Sequence, residues 1–193
     1  MKLLYVHGYN GDPYGESYQN LKNACGDKHE LHTIDYDASN PTEALEHIFN
    51  YIYNHKIDLI IGASLGGFLT INLYGVSRIV VNPCWNPAVE LPKIGYTGDT
   101  KIYENIFNDM CSSLDFEEKH LCTAVSALGD ELLGQKYTPI LRNHFHRHYL
   151  IDGIHRISLE MAKTIINDIL PVHETEVEKF CEQLNNADNA PWL

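Results

Sequence analysis

Short runs that are apolar on both faces constrain this chain most. "DLIIGA" (58–63) and "RIVVN" (78–82) are almost uniformly apolar, and "KLLYV" (2–6) and "LCTAVSAL" (121–128) are nearly so. A strand with one wet face alternates polar and apolar residues, whereas a uniformly apolar strand belongs in a sheet covered on both sides. "ELHTIDY" (30–36) and "RHYLI" (147–151) bring the number of strands to six. Helical patterns separate them at 16–25, 40–55, 65–74, 135–145 and 156–170, and a shorter helix is expected after Pro171. In the second of these, Asn40 is the expected N-cap and Pro41 opens the first turn, with Leu45, Ile48, Phe49 and Ile52 as the apolar stripe. Residues 83–120 are less regular, rich in Pro and Gly at first and then partly helical. Such alternation predicts an α/β fold in three layers: a six-stranded, mostly parallel sheet flanked by helices. No repeat or linker divides the 193 residues, so 1–185 reads as one domain and 186–193 as a polar tail from which Trp192 could dock.

Composition excludes some function classes. A net charge of −12, with no basic run, opposes contact with phosphate backbones, so no nucleic acid partner is expected. No apolar run approaches the roughly 18 residues of a membrane span, and "MKLLYVHGYN" is too short for a secretory signal. Five cysteines, an odd number and never in a CxxC pair, fit reduced thiols. These features together predict a cytoplasmic protein. "HFHRH" sets His144, His146 and His148 at alternate positions, on one face if the chain is extended. No Cys or acidic residue stands nearby to complete a site, so neither a metal nor another cofactor is expected.

Ligands of open parallel sheets bind at the carboxyl ends of the strands. Gly62-Ala63-Ser64-Leu65-Gly66 follows the third strand and matches G-x-S-x-G, the nucleophile elbow of a strained strand-to-helix turn. Side chains at Gly62 and Gly66 would collide with that turn. The turn lifts the Ser64 hydroxyl clear of the sheet and aims the Leu65 N–H at a developing oxyanion. In this motif an Asp or Glu and then a His follow the Ser in chain order. Asp130 follows the fifth strand in "GDE", and His155 follows the sixth in "DGIHRI". Glu131 adjoins Asp130 and is an alternative acid; Asp152 lies only three residues from His155, too local for the usual reach. The loop after the first strand, "VHGYNGDPYG", is expected to give a second oxyanion donor, the N–H of Tyr9 or else of Asn10, with His7 holding the loop. Tyr9, Phe68 and Trp85 are candidate substrate-pocket residues, as are Tyr14 and Tyr96.

The segments "LLYVHGYN", "IIGASLGGF", "VVNPCWNP", "LGDELL" and "DGIHRI" resemble a small α/β-hydrolase, close to the compact bacterial esterases of the YqiA type. They span residues 3 to about 160. The chain departs from that family where Ile151-Asp152-Gly153 stands in place of Gly-Gly, and it has no long insertion for a large lid. The resemblance implies a Ser64–Asp130–His155 triad acting on carboxylic esters or thioesters through an acyl-serine. The alternative is a non-catalytic small-molecule binding protein on the same fold.

Overall fold

The structure, a computed structural model, describes residues 1–188. Strands β1 (Lys2–Val6), β2 (Glu30–Ile34), β3 (Leu59–Ala63), β4 (Arg78–Val81), β5 (Cys122–Ala127) and β6 (Arg147–Ile151) form one sheet in the order β2-β1-β3-β4-β5-β6. Every pairing is parallel. The four inner strands are buried along their length apart from Lys2, whereas the edges β2 and β6 are half-exposed.

The helices are α1 (Glu16–Cys25), α2 (Pro41–His55), α3 (Leu65–Ile71), α4 (Pro87–Glu90), α5 (Lys101–Ser113), α6 (Phe116–His120), α7 (Thr138–His144), α8 (Leu159–Thr164) and α9 (Leu170–Asp188). Strand side chains alternate between two cores. Leu4, Val6, Ile60, Val80 and Ala124 meet α2, α3, α5 and α7 on one face of the sheet. Leu3, Tyr5, Ile61, Ile79 and Val125 meet α1, α8 and the start of α9 on the other.

Asn40 caps α2, accepting from the Glu43 N–H at 3.4 Å while its Nδ2 donates back to the Glu43 carboxylate at 2.7 Å. Of the predicted stripe, Ile48 and Ile52 are buried and Leu45 packs against the core, but Phe49 is exposed. Pro41 and Ala44 are the other buried residues of α2. Pro171 does not separate two helices. A π-helical turn, Ile165–Ile169, joins α8 to α9 in one helical run. A proline in a regular helix clashes with the carbonyl four residues back, and the wider π turn just before it loosens that register. Because α9 extends to Asp188, part of the expected tail is helical. Trp192 lies outside the described residues.

Residues 83–120 fold as α4, a 3-10 turn (Leu91–Ile94), α5 and α6. Tyr103 and Met110 of α5 are fully buried, so this segment closes one face of the sheet rather than forming a large cap. Among the described residues no helix is long and apolar enough to cross a membrane. All five cysteines are free.

Candidate active site

From β1 the chain crosses to β2 on one side and later to β3 on the other, so a crevice opens between the carboxyl ends of β1 and β3. Their register pairs Val6 with Gly62. Two residues further on, Gly8 therefore lies against Ser64, where a Cβ on Gly8 would stand 3.0 Å from the Ser64 Cβ. Ser64 has φ 54° and ψ −118°, a left-handed conformation that costs about 1–3 kcal/mol for a residue other than glycine. Surrounding bonds hold it there. Its N–H donates to the Val81 carbonyl at 3.0 Å, and its own carbonyl accepts from Cys84 at 2.9 Å. A Cβ on Gly62 would strike the Thr70 hydroxyl and the Gly66 carbonyl, and one on Gly66 would strike the carbonyls of Val6 and His7. This is the close approach that G-x-S-x-G anticipates.

At the far side of the site, β5 pairs Ala127 with Ile151 of β6. The ladder continues beyond the strands, with Leu128 N–H on the Ile151 carbonyl at 2.8 Å and Gly129 N–H on the Gly153 carbonyl at 2.9 Å. That extension brings Asp130 and His155 together, although 25 residues of chain separate them. Asp130 Oδ1 lies 2.9 Å from His155 Nδ1, and each residue is 8% exposed. Because a carboxylate only accepts, Nδ1 carries the proton and Nε2 presents a lone pair. The same Oδ1 also accepts from the N–H groups of Leu132 and Leu133 at 2.9 Å. Burial pushes the Asp130 carboxyl up, but the His155 imidazole and these two amides outweigh it and hold its pKa below the ordinary carboxylate value. Glu131 does not share this work: its Oε2 accepts from the backbone N–H of His155 at 2.9 Å. Asp152 is exposed.

Ser64 and His155 line one cavity of about 310 Å³. Its other walls include Tyr9, Asn10, Ile94 and Leu132, with Asp12 and Glu16 as acids and Arg156 as the base. Gly11 N–H donates to the Gly8 carbonyl at 3.0 Å, and Asn10 has φ 52°, so Tyr9 and Asn10 are the central residues of a tight turn beside Ser64. Of the predicted pocket residues, Tyr9 lines this cavity and Tyr96 lines a neighbouring one. Phe68 and Trp85 do not. Phe68 is fully buried and packs on Tyr103, and Trp85, 4% exposed, is enclosed by Phe107, His144 and Phe145. Both were drawn inward because large aromatic surface is worth more in the core than at a polar cavity. Tyr14 is 62% exposed and packs edge-on against Tyr18.

The three histidines of "HFHRH" do not share a face. His144 ends α7 beside Trp85, His146 stacks on His120, and His148 Nε2 lies 3.0 Å from the Ser126 hydroxyl. Among the described residues no group of three or more His, Cys, Asp or Glu is arranged to hold a metal ion.

Asn82, at the end of β4, has a place that sequence reasoning missed. Its φ is 45° and it is 3% exposed. Nδ2 donates to the carbonyls of Ile154 and His155 at 3.1 and 3.0 Å, and Oδ1 accepts from the Ala127 N–H at 2.7 Å. One side chain thus ties the exit of β5 to the loop that carries His155. The available signal was an Asn, which tolerates left-handed φ, between a buried strand and Pro83.

This parallel sheet between two helical layers, with a strained serine at the turn after β3, is an α/β-hydrolase fold. The fold is similar to the monoacylglycerol lipase of Paleococcus ferrophilus, with a TM-score of 0.62, 13% identity, and 91% of this chain and 94% of that one covered. It is likewise similar to alpha/beta hydrolase domain-containing protein 10 from mouse, with TM-score 0.62, 12% identity and coverage of 89% and 90%. The esterase domain of a Rhodothermus marinus protein gives 0.60, 12%, 85% and 81%. None of the curated proteins matches the sequence. Over residues 2–151, well over half its length, the chain matches the family described as "Uncharacterised protein family (UPF0227)", and it belongs to that family.

Proposed function

We propose that this protein is a serine hydrolase that cleaves carboxylic esters or thioesters through an acyl-serine. The observation that carries the reading is the 2.9 Å contact of Asp130 with His155 Nδ1, which leaves Nε2 as a base in the cavity that Ser64 also lines. His155 takes the Ser64 proton as Oγ attacks the carbonyl carbon, and Asp130 stabilises the imidazolium. The N–H groups of Leu65 and of Tyr9 or Asn10 receive the oxyanion. As the tetrahedral intermediate collapses, the imidazolium gives its proton to the departing alcohol or thiol. Water, deprotonated by the same imidazole, then releases the acid and restores Ser64.

The hydrolase neighbours support this reading through their fold, and the Ser64 backbone supports it through its strain. The test is Ser64→Ala, assayed on a short p-nitrophenyl ester alongside thermal unfolding. The expected result is a loss of turnover of about 10³-fold or more with the melting temperature preserved. Undiminished turnover in that variant rejects Ser64 as nucleophile.

A further inference from the structure

A second cavity, of about 460 Å³, adjoins the one at Ser64, and segment 7–11 is a wall of both. Its other walls come from Asp35, Tyr36 and Asp37, just past β2, and from Tyr96, just past the 3-10 turn. No Lys or Arg lines it.

His7 is its buried member, 4% exposed. Its Nδ1 lies 2.8 Å from the Gly8 carbonyl oxygen. A carbonyl only accepts, so Nδ1 carries the proton and Nε2 of the neutral ring is a bare lone pair. That Nε2 is buried and, among the described residues, has no hydrogen-bond partner. Asp35 Oδ1, 3.4 Å away, is itself an acceptor. With the ring neutral the two acceptors oppose each other, and positive charge at this place, on the ring or on a ligand, relieves that opposition. The ring cannot easily turn away. It stacks on Tyr36 at 4.6 Å, and the Tyr36 hydroxyl fixes the His7 carbonyl at 2.7 Å. The hydroxyl of Tyr96 is a second buried polar atom without a partner among the described residues. Its ring meets that of Tyr9 edge to face at 5.6 Å.

We infer that this cavity receives a protonated amine, carried by a substrate whose ester or thioester carbonyl lies at Ser64. The ammonium N–H groups donate to the Asp35 and Asp37 carboxylates, and the positive charge beside Asp35 relieves its opposition to the His7 Nε2 lone pair. Asp35 and Asp37 offset the charge, and Tyr36 and Tyr96 complete the wall. A carboxylate or phosphate in the same place would set another acceptor among acceptors. The inference rests on the hydrolase reading and narrows it, naming the substrate class as amine-bearing esters or thioesters.

The test separates the two. On the Ser64→Ala protein, calorimetry near neutral pH compares hexylammonium, hexanol and hexanoate, three probes of similar length. Hexylammonium is expected to bind about tenfold or more tightly than hexanol, and hexanoate more weakly than either. Asp35→Asn combined with Asp37→Asn is expected to bring hexylammonium down to the affinity of hexanol. In the wild-type protein, kcat/KM for p-nitrophenyl 6-aminohexanoate is expected to exceed that for the heptanoate by about tenfold, a ratio that falls toward one in the double variant. Equal binding of hexylammonium and hexanol, or a preference that survives the double variant, overturns the inference while leaving hydrolysis of neutral esters untouched. A preference for hexylammonium in a wild-type protein that hydrolyses none of these esters overturns the hydrolase reading instead.

Discussion

Asn82→Asp perturbs the placement of His155 without enlarging or emptying the site. Asp has the shape of Asn and shares its tolerance of the left-handed φ of 45°, so neither a cavity nor new backbone strain arises. The oxygen that accepts from Ala127 at 2.7 Å is retained. What is lost is the donor that reaches the carbonyls of Ile154 and His155 at 3.1 and 3.0 Å. Two hydrogen bonds at about 1 kcal/mol each give about 2 kcal/mol, and an ionised oxygen buried against two carbonyls adds about 1–3 kcal/mol. The expected destabilisation is therefore about 3–5 kcal/mol above the pKa of the introduced carboxyl. Burial beside carbonyls raises that pKa, so the folded state binds its proton more tightly than the unfolded chain. By linkage the deficit shrinks as pH falls, because the protonated carboxyl donates again to at least one carbonyl. Urea unfolding from neutral to mildly acidic pH measures this, with esterase rates read on the same samples. A loss below about 0.5 kcal/mol at neutral pH, or a deficit that grows on acidification, refutes the role assigned to Asn82.

Arg78 is fully buried, and its guanidinium donates to the Ile71 and Glu118 carbonyls and pairs with the Glu118 carboxylate. Glu118→Ala is expected to cost about 3–5 kcal/mol in urea unfolding, because it strands a buried cation; a cost below about 1 kcal/mol contradicts that. Glu90 is buried, but Lys136, Tyr137 at 2.6 Å and Lys93 at 2.9 Å outweigh burial and hold its carboxyl down to about 2. Its folded pKa lies below its ordinary 4.5, so its contribution is complete above pH 4.5 and is lost as pH falls toward about 2. Glu90→Gln is expected to flatten the acid limb of the melting-temperature profile in that window, and an unchanged limb removes Glu90 from the account.

The layers were legible because the inner strands are apolar on both faces, a pattern with few alternative uses. Even the edge strand β6 keeps its predicted bounds, while β2 ends at Ile34 rather than at residue 36. There Asp35 and Tyr36 leave the ladder to line the second cavity, which no local pattern announces. Asp130 and His155 were legible through chain order and their position after late strands, and the extended β5–β6 ladder supplies the reason they meet. Aromatic residues misled: Phe68 and Trp85 read equally well as pocket or core, and packing on partners such as Tyr103 and Phe145, distant in sequence, decided for the core. The same limit hid Asn82, whose partners lie 45 to 73 residues away. It also hid the buried charge of Arg78, whose acidic partner is 40 residues on.

Labelling with a fluorophosphonate, read by mass spectrometry of the intact protein and its peptides, tests the central claim most directly. A serine hydroxyl attacks such a probe at a useful rate only when a neighbouring base takes its proton. The wild-type chain is expected to gain one adduct, at Ser64, and His155→Ala is expected to slow its formation at least a hundredfold while remaining folded. A folded wild-type protein that stays unlabelled, or one labelled equally fast without His155, contradicts an activated nucleophile and leaves the fold as a binding scaffold.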